Sequence, residues 1–162
     1  MVRLTDAEIA ALISEPKDGA DKLRGKLQLT GKGAHKEAQI AVTGADGHEF
    51  RVIVRQSALN VLDFSVILGF CPGETTGLFR LRRYNGKHGE HTNSIERQRF
   101  YAFHIHKATE RYQDRGQRED AFAEPSDRYS DVRSATECLI QDCGFASSAP
   151  LQLSLFTEET MP

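Results

Sequence analysis

The sequence has few cysteines, no long hydrophobic run and no excess of positive charge, and each absence excludes a class of protein. Its three cysteines, Cys71, Cys138 and Cys143, are an odd number without metal-ligand spacing, so we expect free thiols in a reducing cytoplasm. No stretch approaches the length of a membrane span, and the first residues lack the apolar run of a signal peptide. The net charge of −2 provides no global basic field for nucleic acid. We therefore expect a cytoplasmic protein that does not contact a membrane.

The composition that remains is that of one ordinary globular domain. The chain has 162 residues, enough to bury a core, and its hydrophobic and charged fractions of 39% and 27% are typical of globular proteins. We find no internal repeat, no low-complexity region and no second domain. A run of small residues and proline begins at residue 146 (Ala146-Ser147-Ser148-Ala149-Pro150). The sequence therefore predicts a globular domain over residues 1–145 and a flexible tail over 146–162.

Capping residues and hydrophobic periodicity predict two helices and six strands. Thr5 and Glu8 have the spacing of a capping box, which predicts a short helix that Pro16 and Gly19 end. From residue 22 onward apolar residues recur at every second position, which favours strands. The predicted strands are 23–30, 38–43, 49–55, 59–68, 77–84 and 100–106, and a closing helix is predicted over 130–141. Because the connections are short, an α+β fold is expected, with an antiparallel five- to six-stranded meander sheet flanked by an N-terminal and a C-terminal helix.

The last two predicted strands carry a concentration of arginine and histidine. Segment 77–115 has nine Lys or Arg against four Asp or Glu, a local charge of about +5. Strand alternation places Arg80, Arg82 and Tyr84 on one face, and it places His104 and His106 together on one face of the next strand. If both strands turn their apolar faces to the core, these two rows lie side by side.

Several interpretations of this surface remain open. Arginine gives bidentate contacts to phosphate and histidine transfers protons, so the surface could bind an anion or nucleic acid, or could be an endoribonuclease site with His104 or His106 as acid or base. The same two histidines could hold a metal, but neither a carboxylate nor a third spaced ligand is evident, so the sequence assigns no metal and no cofactor. A solvated outer sheet face is the structural alternative. The candidate catalytic or anion-binding residues are Arg80, Arg82, Tyr84, His88, His91, His104 and His106.

About a third of the chain resembles the TumE-type toxins of bacterial toxin–antitoxin pairs. In that family an Arg-Tyr-Asp/Asn element precedes a histidine-rich loop and a His-x-His strand. The corresponding residues here are Arg83-Tyr84-Asn85, then His88 and His91, then His104-Ile105-His106. This resemblance implies a small α+β toxin.

A short apolar peptide lies within the predicted tail. Its sequence, Gln152-Leu153-Ser154-Leu155-Phe156, is similar to the sliding-clamp-binding motif of bacterial replication and repair proteins. In that motif the Leu-x-Leu-Phe end fills a hydrophobic cleft, and the leading glutamine, which has both donor and acceptor capacity, hydrogen-bonds at the rim. The alternative is an edge strand, because its leucines alternate with polar residues.

The toxin-like body and the clamp motif together resemble the SocB-like, replication-blocking toxins. That resemblance implies binding to the DNA polymerase III sliding clamp (the beta subunit), inhibition of DNA replication by competition with the polymerase, and no bond made or broken. It also implies a cognate antitoxin, which could act as a protease adaptor. The alternatives are an endoribonuclease toxin that uses the His/Arg surface, and a DNA-repair or mobile-element factor for which the clamp is a tether.

Overall fold

A computed structural model of the chain describes residues 2–25, 29–73 and 77–145. Its elements are α1 (Asp6–Ser14), α2 (Ala20–Arg24), β1 (Thr30–Lys32), β2 (His35–Thr43), β3 (Glu49–Ser57), β4 (Phe64–Cys71), β5 (Phe79–Asn85), β6 (His91–Asn93), β7 (Gln98–Phe100), β8 (His104–Lys107), α3 (Glu110–Asp114), β9 (Ala123–Pro125) and α4 (Val132–Asp142). The predicted tail, with its clamp-like pentapeptide, lies outside the described residues.

Within the described residues, the strands form one large antiparallel sheet and one small one. Seven strands make the large sheet in the order β1-β2-β3-β4-β5-β8-β9, and β6 pairs with β7 as a separate hairpin. Every pairing is antiparallel. The predicted class is therefore confirmed: the fold is α+β, and an antiparallel sheet is flanked by an N-terminal and a C-terminal helix. The sheet is one strand wider than the upper end of the prediction.

The N-terminal helix begins where its capping residues predict, and the closing helix, predicted over 130–141, is observed over Val132–Asp142. The Oγ1 of Thr5 accepts a hydrogen bond from the backbone N–H of Glu8 at 3.1 Å, and the Glu8 carboxylate accepts one from the Thr5 N–H at 2.9 Å. Asp131 and Ser134 form a second capping box at the start of α4. Gly144, with a φ of 85°, follows the end of α4 in the left-handed conformation that favours glycine at this position.

Three predicted strands are misplaced, and one of them, the sixth (100–106), is divided between the end of β7 at Phe100 and the start of β8 at His104. The first, 23–30, starts within α2, because Ala20 and Leu23 lie three residues apart on one buried helical face. The fourth, 59–68, starts only at Phe64, and the side chain of Leu59 before it is 94% exposed. Here the Ser57 hydroxyl accepts hydrogen bonds from the backbone N–H groups of Leu59 and Asn60 and bends the chain into a turn.

The core lies between the sheet and helices α1, α2 and α4. Its fully covered side chains come from β3, β4, β5 and α4, and include Val52, Val66, Leu68, Leu81 and Leu139. All three cysteines are free thiols, and two of them, Cys138 and Cys143, are buried. No helix in the described ranges combines the length and apolar character needed to span a membrane.

A buried ammonium group joins the ends of two helices. The Nζ of Lys17 lies 2.8–2.9 Å from the carbonyl oxygens of Leu12, Ile13, Glu15 and Cys143, so it satisfies acceptors at the ends of both α1 and α4. Burial lowers the pKa of Lys17 to about 8, which still leaves the group charged at neutral pH. Lys17 is only 2% exposed, so these carbonyl oxygens take their donor from its ammonium group in a site closed to solvent.

Replacing this lysine should destabilise the whole fold. Lys17→Met keeps the apolar stem but leaves buried carbonyl oxygens without a donor, at a cost of about 3 kcal/mol or more in the free energy of unfolding. Urea denaturation monitored by circular dichroism measures the change. The exposed Lys22→Met is the matched control and should change stability by less than about 0.5 kcal/mol. Equal stability of the two variants would contradict the role given to Lys17.

Candidate functional site

A β-bulge in β5 decides which of its side chains reach the histidines. Against β4, the register shifts by one residue between Arg80 and Arg82, which makes Leu81 an extra residue in β5. A bulge of this kind leaves two consecutive side chains on the same face. Leu81 and Arg82 therefore share the core face with Tyr84, while Arg80 faces the other way. The predicted single row of Arg80, Arg82 and Tyr84 is thus divided between the two faces.

The neighbours of the histidine pair are consequently not the predicted ones. In the pairing of β5 with β8, Arg83 lies opposite His106 and Asn85 lies opposite His104, while Tyr84 pairs with Ile105 on the core side. His104 and His106 do share one face, as predicted. The prediction that they lie beside Arg82 and Tyr84 is wrong, because the bulge moves those two side chains to the opposite face.

Arg82 and Tyr84 instead contribute to a cluster around Asp142 of α4. The Tyr84 hydroxyl donates to Asp142 Oδ2 at 2.7 Å, and the guanidinium of Arg128 donates to both carboxylate oxygens at 2.9 Å. Arg82 lies further away, with Nη1 at 3.9 Å from Asp142 Oδ2. Burial opposes ionisation of Asp142, but the hydrogen bonds from Arg128 and Tyr84 hold its pKa below the usual value. These residues hold α4 on the sheet.

Arg80 and His88 also have partners away from the histidine pair. The Arg80 backbone N–H donates to Glu119 Oε2 at 2.9 Å, and its guanidinium lies 3.9 Å from the same oxygen. The Nδ1 of the exposed His88 lies 3.3 Å from Asp63 Oδ1. Neither residue is part of the cluster around His104 and His106.

The structure adds a third histidine to the pair on β8. His91 lies on β6, at the start of the small hairpin, where its ring centroid is 5.2 Å from that of His104 and 4.9 Å from that of His106. The centroids of His104 and His106 are 5.0 Å apart. One ring nitrogen from each of the three lies within 4.8 Å of the other two. Within the described ranges, His91, His104 and His106 are therefore the residues that could hold a metal ion.

Hydrogen bonds fix the protonation of the two histidines on β8. The Nδ1 of His104 lies 2.7 Å from the carbonyl oxygen of Ala102, and the Nδ1 of His106 lies 2.7 Å from the carbonyl oxygen of Asp120. A carbonyl oxygen only accepts, so each Nδ1 must carry the proton and each Nε2 must carry a lone pair. The described residues offer no hydrogen-bond donor to either Nε2.

Asn93 fixes the third histidine in the same way. Its Nδ2 donates to the carbonyl oxygen of Ala123 at 2.7 Å, and its Oδ1 accepts from the Ala123 N–H at 2.9 Å, so the orientation of the amide is determined by its partners. The His91 Nε2 lies 2.7 Å from the same Oδ1. That nitrogen must therefore be the donor, and the lone pair of His91 is on Nδ1.

Burial keeps the imidazoles on β8 neutral. His104 and His106 are each 5% exposed. Burial and the positive charge of Arg83 lower the pKa of His106 to about 2, and burial lowers the pKa of His104. A neutral imidazole with one directed lone pair suits metal ligation better than acid–base catalysis on an exposed polymer.

A buried ion pair lies next to the cluster. The Nε of Arg83 donates to Oδ2 of the fully buried Asp120 at 2.9 Å, and Arg118 approaches the other carboxylate oxygen at 3.3 Å. The backbone carbonyl of Asp120 accepts the His106 bond, so this residue orients an imidazole and neutralises an arginine at once. The carboxylate itself is not among the atoms that approach each other in the cluster.

His91 is among the candidate site residues, but it is not grouped with His104 and His106, because nothing in the sequence places it over β8. His91 lies in the polar stretch 85–99, and the strands of its hairpin have only three residues each, too few to show a period of two. His91 lies in the predicted loop that directly precedes the strand with the His-x-His pair, and this short separation is the signal that could have identified it as a third ligand. The clamp-like residues Gln152 to Phe156 lie outside the described residues.

Comparisons with known proteins do not place this chain in a family. No family model matches it, and no curated protein or solved structure matches it significantly.

The Asp142 cluster provides a test of pH dependence. The pKa of Asp142 is lower in the folded chain than its ordinary value of 3.8, so the stability gained from the ionised group is present above about pH 5 and is lost as the pH falls below 3.8. Asp142→Asn should lower the free energy of unfolding by about 1 kcal/mol at pH 7, and the difference from the parent should be smaller at pH 3. Urea titrations at both pH values measure it.

The exposed Asp127→Asn is the control for this experiment and should change stability by less than about 0.5 kcal/mol at pH 7. A difference between parent and Asp142→Asn that is the same at pH 7 and at pH 3 would show that the carboxylate charge is not what holds α4.

Proposed function

We propose that this protein is a toxin that binds the bacterial DNA polymerase sliding clamp through Gln152-Leu153-Ser154-Leu155-Phe156 and blocks replication elongation. The observation that carries the proposal is this pentapeptide, an intact clamp-binding pattern that begins seven residues after the last described residue, Phe145. It lies outside the described residues, so the proposal rests on the sequence of the motif and on its resemblance to that of SocB-like toxins.

The residue types of the motif suit a hydrophobic cleft. Leu153, Leu155 and Phe156 would each contribute roughly 1.5–3 kcal/mol when fully buried. The cost of association and of ordering the peptide reduces the sum, which leaves an affinity of about micromolar. Gln152 would set the register, because its side chain both donates and accepts hydrogen bonds.

Inhibition would follow from occupancy alone. If the motif fills the cleft that the replicative polymerase needs, elongation stalls without any bond being made or broken. In this proposal a cognate antitoxin restrains the protein, and the globular domain predicted over residues 1–145 is the part available for that contact. The proposal requires no catalytic residue in the domain.

The ribonuclease alternative finds less support in the geometry of the described residues. It requires His104, His106, Arg82 and Tyr84 on one strand face, but the two histidines lie opposite Arg82 and Tyr84 across the sheet. His104 and His106 are also almost fully buried. We therefore retain clamp binding as the proposed function.

Alanine substitutions in the motif should weaken clamp binding. Leu155→Ala with Phe156→Ala removes two of the three apolar anchors, and we expect at least a hundredfold weaker binding to purified clamp. Gln152→Ala should weaken binding by about tenfold. Surface plasmon resonance with immobilised clamp measures both. Thr160→Ala, outside the motif, is the control, and a double variant that binds as tightly as this control would refute the proposal.

Truncation should separate blocking of replication from tethering to the clamp. We expect replication arrest when the full chain is overproduced and none when residues 150–162 are deleted, measured by incorporation of labelled thymidine. Clamp binding without arrest would instead favour the repair or mobile-element alternative. Arrest by the truncated chain would place the activity in the globular domain.

A further inference from the structure

We propose that His91, His104 and His106 form a binding site for a divalent transition metal, with Zn²⁺ as the best match. The site lies in the globular domain and does not depend on the clamp-binding proposal. Strand β8 provides two of the imidazoles, and the β6–β7 hairpin places the third against them.

All three imidazoles have a ring nitrogen whose lone pair is free to bind a metal. Each of the three imidazoles gives one N–H to an oxygen acceptor, namely the carbonyls of Ala102 and Asp120 and the side chain of Asn93. Each therefore keeps one nitrogen with a free lone pair. Three such rings have centroids about 5 Å apart. A transition-metal cation can bind all three of these imidazole lone pairs at once.

Hydrogen bonds orient the three imidazole rings in the way that is usual for metal ligands. A histidine that ligates a metal almost always donates its other N–H to a carbonyl or carboxylate oxygen, which fixes the ring and the tautomer. All three rings have such a bond, each 2.7 Å long. The acceptors are themselves held: Asn93 is fully buried and paired with the backbone of Ala123, and Asp120 is fully buried beside Arg83.

The donor atoms of the three histidines indicate which metal the site would bind. Within the described ranges the donor set consists of imidazole nitrogens alone, with no carboxylate and no thiolate. Mg²⁺ and Ca²⁺ prefer oxygen ligands, whereas imidazole suits Zn²⁺, Ni²⁺ and Cu²⁺. Tetrahedral Zn²⁺ with Zn–N bonds of 2.0–2.1 Å requires ligand atoms about 3.3 Å apart. One ring nitrogen from each of the three histidines already lies within 4.8 Å of the other two, so the ligand atoms would have to move closer together when the metal binds.

A metal held by these three histidines would keep a coordination position for a further ligand. Three neutral ligands leave the ion with its full charge, and the nearby Arg83 is already neutralised by Asp120. Zinc sites with three protein ligands keep an open position for water or substrate. Here that position would take water or an anionic oxygen ligand such as phosphate or a carboxylate, which the excess positive charge of segment 77–115 also favours.

The test measures metal binding by the full chain without a polyhistidine tag. Metal-free protein is titrated with Co²⁺, whose visible absorption reports tetrahedral coordination, and Zn²⁺ content is determined after dialysis. We expect one equivalent of metal in the parent and at least a hundredfold weaker binding in His91→Ala. The matched control is His88→Ala, which removes an exposed histidine of the same segment outside the cluster and should bind as the parent does.

His91 is only partly buried, so the variant should fold, and thermal unfolding of the metal-free proteins checks this. If it does not fold, X-ray absorption of the zinc-loaded parent decides, with three imidazole ligands expected. No stoichiometric metal in the folded parent, equal binding by His91→Ala and the parent, or a ligand count that lacks imidazoles would each overturn the proposal. Clamp binding should be unchanged in His91→Ala, so failure of one proposal is distinguishable from failure of the other.

Discussion

The arrangement of the histidine cluster depends on one side-chain amide. Asn93 pairs with the backbone N–H and carbonyl of Ala123 as a strand residue would, and so ties the β6–β7 hairpin to the edge strand β9. The same amide oxygen accepts the N–H of His91 and thereby sets its tautomer. Because Asn93 is fully buried, loss of these bonds would leave polar groups without partners, and the hairpin and the third imidazole would lose their position together.

The parts of the fold that could be predicted are those determined by local signals. The capping box at Thr5, the glycine after α4 and the alternation along β2 and β3 each act within a few residues, and the structure confirms them. The sequence likewise predicts that His104 and His106 share a face, because that follows from the period of a strand. The α+β class follows from the same periodicities.

The parts that could not be predicted depend on contacts between distant segments. The bulge at Leu81 has no local signal, yet it decides that Arg82 and Tyr84 meet Asp142, 58 residues further along the chain in the case of Tyr84. The β6–β7 hairpin is too short to show a period, and its position over β8 is set by Asn93 and Ala123. The sequence therefore identified two of the three clustered histidines as a pair, but not the geometry that unites all three.

The buried ammonium of Lys17 has a mechanical consequence for whatever acts on the residues beyond 145. Besides the bonds of its side chain, its backbone N–H donates to the carbonyl of Gly144 at 2.9 Å, so the first and the last described helices meet at one corner. A pulling force applied to the following segment would reach this corner first. Extraction of α4 would strip Lys17 of a carbonyl partner and uncover the face of the sheet against which α4 packs. The segment that carries the clamp-like peptide therefore follows directly after the contact that joins the ends of α1 and α4.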